Sequence, residues 1–161
     1  MDTERKHNKS RKPKLSIKYM TEDQYREALL ALQNSIIGST RVSGLVANSP
    51  CLLLAATDGR ITVKQKKVAF GYQLVASLKF GRDVVGEIDA SKTQESLVIS
   101  HLCGTRNCIK PQHLVLESKA TNDERTHCHF CLGKSKNRGQ FYESGACPHE
   151  PKCGTKTISF I

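Results

Sequence analysis

Two spaced sets of cysteine and histidine limit what this chain can fold into. The first is Cys103-x4-Cys108-x4-His113, set between the apolar runs Leu97-Val98-Ile99 and Leu114-Val115-Leu116. Two strand-like segments with the loop between them folded back would bring three tetrahedral ligands to one Zn²⁺, and a fourth must come from elsewhere. Cys51 stands outside the C-terminal half with no other cysteine near it; it is either that long-range ligand or a buried structural thiol. The second set is Cys128, Cys131, Cys147, His149 and Cys153. Cys147-x-His149-x3-Cys153 reads as a three-ligand knuckle that Cys128 or Cys131 would complete. Two Cys₃His sites take six of the seven cysteines. Cys131 is favoured as the spare, although C-x2-C at 128 and 131 is itself a common ligand pair.

An odd number of cysteines crowded beside histidines suits metal thiolates in a reducing compartment better than a disulfide framework. An intracellular location is therefore expected, nuclear if the source is eukaryotic. Composition also calls for metal. With 161 residues, 38% apolar, 6% aromatic and no Trp, the chain lacks the large side chains that fill an interior of this size. No apolar run approaches 18 residues, and residues 1–18 are basic and polar, so neither a membrane span nor a signal peptide is expected.

The 25 Lys+Arg against 15 Asp+Glu give a formal charge of +10 and a pI of about 9.4, which points to a nucleic-acid partner. Half of that charge lies in residues 1–18, where Arg5, Lys6, Lys9, Arg11, Lys12, Lys14 and Lys18 face two acids. This arm is expected to be disordered; a solvated tail, an import signal and phosphate contact all fit it. Residues 19–161 read as one domain of the α+β class. A helix is expected over Thr21–Ile37, with Thr21 and Gln24 as a capping box, Tyr25, Leu29, Leu32 and Ile36 on one face, and Gly38 as its stop.

From Thr40 to about Ala69 the texture is β-like, with turn signals at Asn48-Ser49-Pro50 and Asp58-Gly59, the latter a hairpin turn. After it Arg60, Thr62, Lys64 and Lys66 alternate with Ile61, Val63, Gln65 and Lys67. One extended strand would then present three cations and a hydroxyl, to the major groove of DNA or to solvent. A second helix is expected over Ala69–Lys79, ended by Gly81. The apolar end, Ile158-Ser159-Phe160-Ile161, would dock on this chain or on another.

His101 ends the strand before the first Cys/His loop. Ser118 is a plausible N-cap, and Lys119–Thr126 reads as a helix with Asn122 near its first turn. Strand, loop, strand and helix would bring His101 and Asn122 within reach of one point. A histidine base and an amide oxygen for a hard divalent cation suit phosphodiester hydrolysis.

At these residues the chain resembles a known family. Ser100-His101-Leu102-Cys103-x2-Arg106-x-Cys108-x2-Pro111-x-His113-Leu114-x2-Glu117-Ser118-x3-Asn122-x5-Cys128 is similar to the box of the His-Cys box homing endonucleases, members of the ββα-metal (His-Me finger) nucleases. Cys147-x-His149-x3-Cys153 is similar to their second zinc knuckle, so the likeness covers about residues 97–153. It implies a small mixed domain with antiparallel β-sheets, a ββα-metal motif and two structural zinc sites. His101 would be the general base and Asn122 the ligand of a single catalytic Mg²⁺. Cys51, Cys103, Cys108 and His113 would hold the first Zn²⁺; Cys128, Cys147, His149 and Cys153 the second. The tail, about residues 154–161, would cross to a second subunit, giving a homodimer that makes double-strand breaks in a pseudopalindromic site. The family also places an arginine near the scissile phosphate, and none lies around Ala69-Phe70-Gly71-Tyr72-Gln73; Arg60, Lys64, Lys66 or Lys67 would have to serve. A catalytically inactive zinc-dependent DNA-binding regulator and a nuclease of low sequence specificity are the competing readings.

Overall fold

Thr21 starts the first helix by the mechanism its sequence encodes. Its hydroxyl accepts the Gln24 amide at 3.2 Å, and the Gln24 side chain returns the bond to the Thr21 amide at 2.9 Å. Helix α1 (Glu22–Asn34) follows and buries Ala28 and Leu32. In the computed structural model, which describes residues 17–39, 51–88, 93–137, 148–151 and 153, α1 stops three residues short of the expected end. Ile36 and Ile37 instead open strand β1 (Ile36–Ser39), which pairs antiparallel with β2 (Leu52–Leu54), Ile36 opposite Leu54. β-branched residues fit this pairing better than a last helical turn, and Gly38 is no helix stop but a strand residue.

The described fold also begins inside the arm inferred from charge. Ile17 is buried in the core and Lys18 pairs with Glu87. The rest of the arm, the turn at 48–50, Cys147, the tail at 154–161 and the side chain of Cys131 lie outside the described residues.

The expected single strand after Asp58-Gly59 is two strands. β3 (Arg60–Val63) and β4 (Lys66–Phe70) form a hairpin whose two-residue turn is Lys64-Gln65, both with positive φ, at 47° and 64°. That conformation is the mirror-image turn matching strand twist, here made without the Asn or Gly that usually signals it. Asp58-Gly59 is a turn leading into β3, where the Gly59 amide meets the Ala56 carbonyl at 2.9 Å. A bulge between Ile61 and Thr62 shifts the register. Arg60, Thr62, Lys64 and Lys66 therefore do not share one strand face. Thr62, Lys64 and Lys66 are exposed on the hairpin, and Arg60 sits at its base.

Helix α2 (Gly71–Phe80) lies where expected, with Gly81 at its end. Gly71 allows the helix to start against the core: a Cβ there would lie 2.3 Å from Leu54 Cδ1 and 3.2 Å from Leu32 Cδ1 and from Ile109 Cγ2. Gly71→Ala is expected to destabilise the fold by about 1–3 kcal/mol through overpacking. A urea midpoint at or above wild type would contradict this.

Helix α3 (Arg82–Ile88) has no counterpart in the sequence reading. Arg82 gathers the N-terminal segment, donating to the carbonyls of Ile17 and Met20 and to Glu22. Strands β5 (Leu97–His101) and β6 (Leu114–Ser118) pair antiparallel, His101 opposite Leu114, and α4 (Lys119–Asn137) packs on both. Ser118 Oγ accepts the Thr121 amide at 3.1 Å, consistent with its expected capping role. The architecture is α+β: three two-stranded antiparallel sheets and four helices among the described residues. One core cluster includes Ile17, Leu32, Leu54, Ile61, Leu74 and Leu114. No described helix is long and apolar enough to cross a membrane.

Candidate active site and metal centres

Strand β2 carries Cys51 to the β5–β6 loop through backbone pairing. The Ile109 amide donates to the Leu52 carbonyl at 2.8 Å and the Leu54 amide to the Asn107 carbonyl at 3.2 Å. Cys51, Leu53, Cys103 and Cys108 form a buried cluster of their own. Ligand atoms of Cys51, Cys103, Cys108 and His113 all lie within 4.8 Å of one another, and all four residues are buried.

The spacing can be tested against zinc. Tetrahedral bonds of ~2.3 Å to sulfur and ~2.05 Å to nitrogen separate S and N by about 3.6 Å. His113 Nδ1 lies 3.6 Å from Cys51 Sγ and 3.4 Å from Cys108 Sγ, so the donor set fits. Bonds from the thiols of Cys103 and Cys108 hold the Cys51 thiol well below its ordinary range, while contact with Cys108 and then Cys51 pushes Cys103 up. Packed this closely, the thiols oppose one another's ionisation. A divalent cation at their centre would favour the thiolate forms.

A second group joins Cys128 of α4 to His149 and Cys153, again with ligand atoms within 4.8 Å, and Cys153 Sγ is 3.2 Å from His149 Nδ1. These three contribute two thiolates and an imidazole. A fourth ligand from outside the described residues would complete a zinc site.

Between the strands and α4 opens a cleft of about 540 Å³. His101, at the end of β5, and Asn122, in the first turn of α4, both line it, as the strand–loop–strand–helix order requires. His101 Nε2 lies 3.0 Å from the Cys108 carbonyl, which can only accept, so Nε2 carries the proton and Nδ1 keeps its lone pair. Burial lowers the imidazole below its ordinary range, the Cys108 carbonyl opposing, which favours the neutral ring at pH 7. Tyr72 meets that ring edge-on at 4.9 Å. The Asn122 side chain has no protein hydrogen-bond partner among the described residues, leaving its amide oxygen available to a ligand. One amide oxygen on an open cleft fits Mg²⁺, which takes few protein ligands and keeps water and substrate oxygens.

Arg60 lines the same cleft. Its guanidinium stacks over Phe70 at 5.1 Å, and Nε is 3.9 Å from the Asp58 carboxylate, which also accepts the Arg60 amide at 3.1 Å. Of the four side chains read as one DNA-facing row, this one belongs to the cleft. Lys64 is held by Glu27 at 2.8 Å, while Thr62 and Lys66 stay on the exposed hairpin.

The family model describing the zinc-binding loop region of homing endonuclease matches residues 43–160, well over half of the chain. The chain belongs to the His-Cys box homing endonucleases. No curated protein and no solved structure matches it. The match to this homing-endonuclease region reaches upstream of the box and includes Cys51 and the hairpin as well as both Cys/His groups. The family implies a nuclease acting on DNA, and the clusters support Zn²⁺ as a resident metal.

The cleft also holds Asp58, Arg106, Thr126 and His129, to none of which the sequence assigns chemistry. Asn122, Thr126 and His129 stand at i, i+4 and i+7 of α4. That helical spacing was available in the sequence, but a helix ended at Thr126 hides it. His129 Nε2 donates to the Leu102 carbonyl at 3.1 Å, joining α4 to the loop of the first Cys/His group.

Proposed function

We propose that this homing endonuclease hydrolyses phosphodiesters in double-stranded DNA with one Mg²⁺ per subunit, making site-specific double-strand breaks as a homodimer. The observation that carries the reading is the convergence of His101, Asn122 and Arg60 on one cleft. His101 Nδ1 takes a proton from the attacking water, its ring held by the bond from Nε2 to the Cys108 carbonyl. Asn122 holds the cation through its side-chain oxygen. A Mg²⁺ held there would supply charge neutralisation for the phosphodiester under attack. Arg60 answers the arginine missing beside Ala69–Gln73, and its guanidinium binds a non-bridging phosphate oxygen. Water attack on phosphorus breaks the P–O3′ bond, and the leaving oxygen takes a proton from solvent, giving a 5′-phosphate and a 3′-hydroxyl.

In the same reading Cys51, Cys103, Cys108 and His113 hold one structural zinc. Cys128, Cys147, His149 and Cys153 hold the other, with Cys131 spare. Thr62, Lys64 and Lys66 on the hairpin contact DNA, and residues 154–161 join the subunits. Thiolate sites of this kind suit a reducing intracellular compartment, the nucleus in a eukaryote. Arg60 in the cleft weakens the inactive-regulator reading, which the absent arginine had favoured.

Incubation with a random plasmid pool in Mg²⁺ and in EDTA tests the proposal. Discrete bands in Mg²⁺ alone are expected. A smear would support a nuclease of low specificity, and a gel shift with intact DNA would overturn catalysis altogether.

A further inference from the structure

Arg125 is the largest fully buried side chain among the described residues, 1% exposed. An arginine goes that deep only when its charge is paired; here Nε and Nη1 are bonded, while Nη2 is buried without a hydrogen-bond partner among the described residues. Nε lies 2.8 Å from both oxygens of Glu117 on β6. Nη1 donates to the Pro151 carbonyl at 2.6 Å and to Cys153 Sγ at 3.3 Å. One planar fork thus joins β6, α4 and the C-terminal Cys/His group. On α4 it sits three residues after Asn122, which lines the cleft, and three before Cys128, which belongs to the metal cluster.

We propose that Arg125 is a positioning residue that makes the second zinc site part of the active-site framework, locking the first turn of α4, and with it Asn122, onto β6. The inference rests on the nuclease reading for what Asn122 does and on the chain's own contacts for the lock. The described members of that group are two thiols and an imidazole, Cys128, Cys153 and His149. The guanidinium donates to the Cys153 sulfur from outside the ligand set, the usual arrangement by which an outer group orients and stabilises a ligand. Glu117 in turn fixes the guanidinium from the strand side. Three like-charged or flexible partners would not do this; the geometry needs a rigid, multiply donating cation.

Arg125→Lys keeps the charge opposite Glu117 and loses the fork, so it is the informative variant. Zinc release to a chromogenic chelator from the full chain should proceed in two phases, one per site. In Arg125→Lys one phase should accelerate by roughly tenfold or more, in keeping with the usual effect of losing an outer-shell partner, while the other stays at the wild-type rate. Amide exchange over residues 119–126 should accelerate in parallel. Should the lysine variant fail to fold, the Glu117→Gln/Arg125→Gln pair, which removes both partners of the buried ion pair together, is expected to give the same selective release. Unchanged release, equal acceleration of both phases, or unchanged exchange at 119–126 would each overturn the proposal. None of these readouts needs cleavage, so an inactive wild-type chain would defeat the nuclease reading without deciding the role of Arg125.

Discussion

Stripping zinc is expected to unfold most of the chain. The first Cys/His group cross-links segments far apart in sequence, adding to the backbone pairing of β2 with the loop: Cys51 precedes β2, Cys103 and Cys108 lie in the β5–β6 loop, and His113 leads into β6. Its surroundings are three thiols and Leu53, a buried cluster with almost no aliphatic bulk. Structural zinc typically contributes about 10–16 kcal/mol of apparent binding free energy to folding at pH 7, as much as the roughly 5–15 kcal/mol of net stability of an ordinary domain. A chain with no Trp and 6% aromatics has no reserve to replace it. Metal analysis should find about two zinc per chain, one for each Cys/His site. Chelation should abolish the cooperative melt, and returning zinc should restore it. A stoichiometry near one would contradict the second site, and a cooperative melt retained in the stripped chain would contradict the scaffold role of both.

Features set by neighbouring residues were legible in the sequence. The capping box at Thr21 and Gln24, the helix stop at Gly81, the strands flanking the Cys103–His113 loop and the start of α4 all depend on contacts within a few residues. Where distant segments decide, the sequence misleads. Ile36 continues the α1 periodicity, yet pairing with Leu54 on β2 takes it into a strand. Helix α3 carries Gly86, where a Cβ would lie 2.9 Å from Lys18 Cβ, a contact with a segment 68 residues away that no local pattern announces. The Lys64-Gln65 turn adopts positive φ with residues that give no turn signal, so two strands read as one.

The site divides the same way. His101 and Asn122 come together because a strand, a loop, a strand and a helix follow one another in order, which sequence shows. Cys51 and Arg60 arrive from far upstream. Spacing alone left Cys51 open between ligand and core thiol, and β2 pairing with Asn107 and Ile109 is what brings it in. Arg60 reads in sequence as one of a row of cations on a single strand; in the structure it stands at the base of the hairpin, opposite Phe70, and lines the cleft.

Loss of cleavage in His101→Ala is the other large effect expected. The imidazole is held at one nitrogen by the Cys108 carbonyl, and burial favours its neutral form, so Nδ1 is a base ready to accept a proton. Alanine removes that acceptor and leaves the Cys108 carbonyl without its bond, close to the first metal site. Zinc content and gel-shift affinity for DNA in EDTA must therefore be measured beside activity, and both should match wild type. General-base catalysis by a positioned side chain is worth about 10²–10⁴-fold, so the rate should fall by that order. The most direct test is single-turnover cleavage of a plasmid carrying the target, wild type against His101→Ala, in saturating Mg²⁺. A loss of roughly 10²-fold or more with zinc and DNA affinity intact is the predicted result; cleavage by the alanine variant at the wild-type rate would contradict it.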